Sequence, residues 1–238
     1  MARRLIWVAG GVAGAQLAFA VVVFLKSRGV SHAILGMGIG IYIFWIILGG
    51  LLTWRFRKRL RKLAKEVSIA WQVKFVLLAT VLAMIEEAIT VAMTNTAPFY
   101  GVSMERAHVT ASADYWDVVL TSSVVLFVPM FCIWAWLLSR YAFSAEAVFL
   151  LWGTTGAVME ALYGGPQHLL EIGMWMFVYG LMIYLPTCTV PEERAAKAPR
   201  WWWYFAAPAV TLLGVVPGGI LATIFRQLRP PHNLPGAH

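Results

Sequence analysis

Apolar runs of about twenty residues, recurring from near the N-terminus to near the C-terminus, constrain this chain more than any other feature. A helix needs roughly 20 such residues to cross a bilayer. The runs fall at Leu5–Leu25, Ala33–Trp54, Trp71–Met93, Asp117–Leu138, Ala145–Tyr163, Gln167–Leu185 and Trp201–Phe225. They predict an all-α, polytopic integral membrane bundle of about seven transmembrane helices, forming one transmembrane domain over residues 1–238. Little of the 238-residue chain lies outside them, which leaves no room for a separate soluble catalytic domain of about 100 residues.

The first run follows Arg3 and Arg4 and contains Ala18-Phe19-Ala20, a small-x-small pattern like a signal-peptide cleavage site. Apolar residues continue through Leu25, long enough to span, so a retained first helix is expected. Gly10 with Gly14, Gly36 with Gly40, and Gly214 with Gly218 form small-xxx-small pairs that let helix backbones approach. Pro129, Pro208 and Pro217 are expected to kink their spans.

Charge sets the orientation. Of the 19 basic residues, Arg55, Arg57, Lys58, Arg59, Arg61, Lys62 and Lys65 crowd a linker over residues 55–70. Arg3, Arg4, Lys74, Arg140, Arg194, Lys197 and Arg200 fall on the same side, whereas Lys26, Arg28, Arg106, Arg226 and Arg229 fall on the other. The positive-inside rule then places the N-terminus in the cytoplasm, the C-terminus outside and the protein in the cytoplasmic membrane. A juxtamembrane basic cluster attracts anionic lipid headgroups at about 1 kcal/mol per residue near the surface. No aromatic-interleaved binding fold accompanies it, so nucleic acid is not the expected partner. The extensive apolar surface allows partners in a membrane complex or a homo-oligomer. Cys132 and Cys188 show neither zinc spacing nor a disulfide framework, and the sequence identifies no cofactor.

Against this background Glu86 and Glu87 stand out, lying side by side within the third run. A charge near the bilayer centre costs about 2.5 to 3.5 kcal/mol on insertion scales, so a pair implies a protein interior, an aqueous cavity, a shared proton or a bound cation. Thr80, Ala83, Glu87, Thr90 and Thr94 recur every three or four residues as one small-and-polar stripe. Glu86 points about 100° away, so the two carboxylates are expected to meet different neighbours. On the orientation above, both lie in the outward half of their helix, with Glu160, Glu171, Asp117, His108 and His168 on the same side.

His168 and Glu171 share a helical face at a spacing of three, as do Asp117 and Thr121 at four. Together with Glu87, His168 and Glu171 offer a candidate metal set, because imidazole and carboxylate are ordinary metal ligands in helical bundles. An acid-lined outer cavity of Glu86, Glu87, Thr90, Glu160, Glu171 and Asp117 is therefore expected to bind or transport a cation, a proton or a cationic small molecule. One alternative is a membrane-embedded hydrolase or protease with Glu87 as general base, Glu86 beside it, and His168 or His108 stabilising developing charge. Another is a non-catalytic subunit of a membrane complex.

The Glu86-Glu87 pair resembles the paired glutamates of the intramembrane CAAX-type proteases. That resemblance implies a glutamate that activates water and histidines on later helices that stabilise the intermediate. It covers only those two residues. Thr90 and Val91 stand where the family's Arg is expected, and no Phe-x-x-x-His or His-x-x-x-Asn follows on a later span.

Overall fold

The computed structural model describes residues 1–228. Arg229, counted above among the outer-side bases, and the C-terminus lie outside the described residues. The described chain is all-helical, and its elements follow the apolar runs with three informative departures.

α1 (Ala2–Lys26) runs unbroken through Ala18-Phe19-Ala20. The second run forms α2 (Gly29–Ile41), an eight-residue π-helical stretch (Tyr42–Gly49) and α3 (Gly50–Glu66), together one rod of 38 residues. At 1.5 Å per residue this rod is about 57 Å long, well beyond the roughly 30 Å hydrocarbon slab. The basic segment expected as a linker is thus helix as far as Glu66. Its Arg, Lys and Leu residues are good helix formers, with no Gly or Pro between Leu51 and Glu66 to stop them. Lys74 closes the end, its Nζ donating to the carbonyls of Ala64 at 2.5 Å and Val67 at 3.1 Å.

α4 (Trp71–Thr94) is two-faced. Phe75, Ala79, Ala83, Glu86, Glu87, Thr90, Val91 and Thr94 are buried, whereas Val73, Leu77, Val81 and Ile85 are exposed and apolar. Apolar residues exposed along a long helix suit a lipid environment, where the inward face can carry the polar groups. The connection after α4 folds back onto it. Asn95 Nδ2 donates to the Ala113 carbonyl at 3.0 Å, and Thr94 and Thr110 share a hydroxyl bond at 2.8 Å.

The fourth run is not one straight helix. α5 (Tyr115–Thr121) and α6 (Val124–Arg140) meet at Ser122–Ser123 with a 44° bend. Both serine hydroxyls donate to the Val118 carbonyl, at 3.0 and 3.2 Å, giving the backbone an alternative to the helical ladder. Arg226 donates to the Thr121 carbonyl at 2.9 Å and pins the break from outside. Pro129, by contrast, lies within continuous helix. The last run likewise divides, into α9 (Trp203–Leu212) and α10 (Val215–Leu228). Pro217 has no N–H to donate to the carbonyl of Leu213, and the helix is interrupted there.

α7 (Ala145–Tyr163) begins at Ser144, whose hydroxyl accepts from Ala147 N at 3.2 Å. A 3₁₀ turn (Pro166–Glu171) leads into α8 (Ile172–Cys188), which packs antiparallel on α7. Glycine makes that contact close. A Cβ on Gly153 would strike the Met176 carbonyl, and one on Gly156 would strike the Tyr179 ring. Of the expected pairs, Gly214 and Gly218 pack on the α6 backbone and Gly36 and Gly40 receive Tyr100 and Met93, but Gly14 meets nothing within 4 Å. Phe75, Phe131, Trp134, Trp152, Met182 and Ile183 fill the centre.

Among the described residues six helices are long and apolar enough to cross a membrane, or seven if the bent α5–α6 pair counts as one span. These helices make the chain a multi-pass membrane protein.

Candidate functional site

Antiparallel packing of α7 and α8 brings the end of α7 and the start of α8 to one end of the bundle, and the last turns of α4 lie beside them. The acidic residues collect there. Glu86 and Glu87 are both buried, with 4% and 7% of their surface exposed. Their directions differ as the helical spacing requires, yet Glu86 remains within electrostatic reach of Glu87 and of Glu160 on α7. The expectation of different neighbours is therefore only half of the arrangement, because both carboxylates have Glu160 of α7 among their charged neighbours.

Hydroxyl groups line this interior. Thr90 Oγ1 donates to Glu87 Oε2 at 3.3 Å and also approaches its own helix's carbonyls at Glu86 and Glu87. Ser123, at the break between α5 and α6, also faces Glu87. Tyr115 lies near the same carboxylate while its hydroxyl donates to the Met84 carbonyl at 3.1 Å. On the other side, the Tyr179 hydroxyl donates to Glu160 Oε1. Gly156 explains how: with no side chain there, the Tyr179 ring lies against α7, and Glu160 sits one turn further on, at the height of the hydroxyl. Tyr179 is within electrostatic reach of Glu160, Glu86 and Glu87 together.

The line of polar groups continues outward. Glu160 is near His168 and Glu171 on the 3₁₀ turn, where His168 Nδ1 meets Glu171 Oε2 at 3.0 Å and Trp175 Nε1 donates to the same oxygen at 3.1 Å. Glu171 is exposed. Tyr42, from the π-helical stretch, lies near Glu171, and its buried hydroxyl has no hydrogen-bond partner among the described residues. A succession of ionisable groups thus runs from the surface to Glu86 and Glu87 in the C-terminal half of α4.

Other candidates take different roles. Asp117 Oδ1 accepts from Thr121 at 3.2 Å, and Asp117 N donates to Asp114 Oδ1 at 2.8 Å, so Asp117 serves the turn of α5 and is not among the groups surrounding Glu87. His108 is bonded to the Met104 carbonyl in the outer connection, at 3.2 Å. Among the described residues no three His, Cys, Asp or Glu side chains come together as a metal-binding group, so His168, Glu171 and Glu87 do not form the three-ligand set their spacing suggested. His168 instead pairs with Glu171 and reaches the interior only through Glu160.

Sequence reasoning missed Tyr179, Ser123 and Tyr115. Tyr179 carried a usable signal: it lies mid-span, away from the interfacial level where an aromatic belt places tyrosines. Ser123 carried one too, within Thr121-Ser122-Ser123, a polar triplet inside an apolar run.

No known family model matches this sequence, and no characterised protein or solved structure matches it. The chemistry of the chain therefore rests on its own geometry.

Proposed function

We propose that this chain is a protein of the cytoplasmic membrane, N-terminus inside, that binds or transports protons at an acidic interior reached from the outer face. One observation carries the reading: Glu86, Glu87 and Glu160 cluster among hydroxyl groups, while the ion pairs formed among the described residues use other carboxylates. Carboxylates held this close in a low-dielectric interior cannot all be ionised at little cost, so they share protons or admit a cation.

Protons are favoured over a larger cargo by the order of the groups. His168 and Glu171 stand at the surface, Glu160 with Tyr179 comes next, and Glu86 and Glu87 lie innermost. Each is a donor or acceptor suited to passing a proton. Thr90 donates to the Glu87 carboxylate, and Ser123 lies beside it.

In proteoliposomes driven by a proton gradient, Glu87→Gln is expected to abolish uptake, with Glu160→Gln close behind. Undiminished proton flux in Glu87→Gln would reject the reading. Flux that persists for a small cation but not for protons would move the cargo, not the site.

A further inference from the structure

At the opposite end of the bundle, a cavity of about 520 Å³ lies between the N-terminus of α1, the basic half of α3, the start of α7, the end of α8 and the connection after α8. Five cationic side chains line it, Arg3, Arg57, Lys58, Arg61 and Arg194, against two carboxylates, Glu146 and Glu192. We propose that this cavity is a binding site for a phosphate group, carried by an anionic phospholipid headgroup or by a soluble phosphate ester. The site is separate from the acidic interior and does not depend on how that interior works.

The basic helix divides into two faces. Arg57, Lys58 and Arg61 line the cavity, whereas Arg55, Arg59 and Lys62, half a turn round, do not. Only part of the cluster is therefore a general attractant for a charged surface. The cavity-lining part is converged upon by bases from other segments, which a surface attractant would not need.

Two further features suit phosphate. The first turn of α7, at Ala145 and Glu146, opens into the cavity behind its Ser144 cap, and backbone N–H groups at a helix start favour anions. Arginine forks match phosphate oxygens two at a time. Several of these bases are already held in place. Arg194 donates to the Leu138 and Pro191 carbonyls at 2.8 and 2.7 Å, and the Arg57 guanidinium lies 5.4 Å over the Trp54 ring. Arg61 meets Glu192 at 2.6 Å and Arg3 meets Glu146 at 3.5 Å, both exchangeable for a phosphate. A volume of about 520 Å³ falls within the range of small-molecule pockets. Exposed Trp54 lies about one turn before Arg57 and Lys58 on the same face of α3, where an acyl chain of a lipid would run.

The test uses the full-length protein in detergent, with binding of a short-chain phosphatidylglycerol and of glycerol phosphate measured in parallel. Arg57→Ala/Arg61→Ala is expected to weaken binding at least about tenfold, as loss of two charge-assisted contacts implies. Arg55→Ala/Arg59→Ala removes the same charge from the other face and is expected to change it less than about twofold. Glu192→Gln releases Arg61 and is expected to tighten binding about two- to fivefold, a gain that a misfolded protein cannot mimic. Binding of the lipid alone identifies a headgroup source, and comparable binding of glycerol phosphate identifies a soluble one. Equal losses from the two double variants, or no effect of Glu192→Gln, would overturn the site.

Discussion

At the basic end Glu146 and Glu192 pair directly with Arg3 and Arg61 at the surface, with the Arg3 and Glu192 side chains 81% and 79% exposed. At the acidic end Glu86 and Glu87 are buried and their nearest polar neighbours are hydroxyl groups and one another. One bundle therefore handles carboxylates in two ways, and the difference is solvent. Exposed ion pairs contribute little to stability and are screened by salt. Buried carboxylates impose a large cost that close packing and hydrogen bonds must offset. The close α7–α8 contact at Gly153 and Gly156 lies beside the acidic end, whereas the charged side chains of the basic end meet in solvent.

Several substitutions would break or sharpen this contrast. The largest effect is expected from Gly153→Leu, which drives a side chain into the Met176 carbonyl. Forced separation of α7 from α8 is expected to cost about 3 kcal/mol, read as a lowered melting temperature in detergent, with loss of proton uptake. Tyr179→Phe removes the hydroxyl that serves Glu160 and is expected to cost about 1 to 3 kcal/mol and to slow uptake. A hydroxyl that mattered only for packing would leave uptake unchanged. Arg226→Ala removes the bond that pins the α5–α6 break and is expected to cost about 1 kcal/mol, shifting Ser123 away from Glu87.

The smallest effect belongs to the basic end. The hydrogen bond and charge of Arg61 hold the Glu192 carboxyl below the usual carboxylate range. A lowered folded-state pKa gives stability that is present above the unfolded value and lost as pH falls through the folded one. Glu192→Gln should thus lower stability slightly at neutral pH and leave it unchanged at acid pH, where the carboxyl is protonated in any case, so the acid limb flattens by that small amount and the difference vanishes at high salt. A large effect at neutral pH would mean that the two ends are not as different as described.

Much of the fold was legible in the sequence because spanning a bilayer imposes length and apolarity together. Ala145–Tyr163 matches α7 in both bounds. The rod over Gly29–Glu66 was less legible because helix propensity continues where hydropathy stops, so the basic segment extends the helix instead of linking two spans. The bend at Ser122–Ser123 depends on hydroxyl-to-carbonyl bonds that apolarity does not report. The site divides along the same line. Glu86 and Glu87 were visible as charges in an apolar run and Thr90 as their periodic companion. Tyr179 and the gathering of Glu160 toward Glu86 depend on Gly156 facing α8, a contact between helices that spacing within one helix cannot supply.

Labelling of introduced cysteines tests the two-ended account most directly. In a Cys132→Ser/Cys188→Ser background, in sealed vesicles of known orientation, Glu160→Cys and His168→Cys are expected to react with a membrane-impermeant thiol reagent from one side. Arg57→Cys is expected to react only from the other, and the outer side should be that of Glu160. Labelling of all three positions from a single side, or a Glu160→Cys that no aqueous reagent reaches from either side, would contradict an acidic interior opening opposite the basic end.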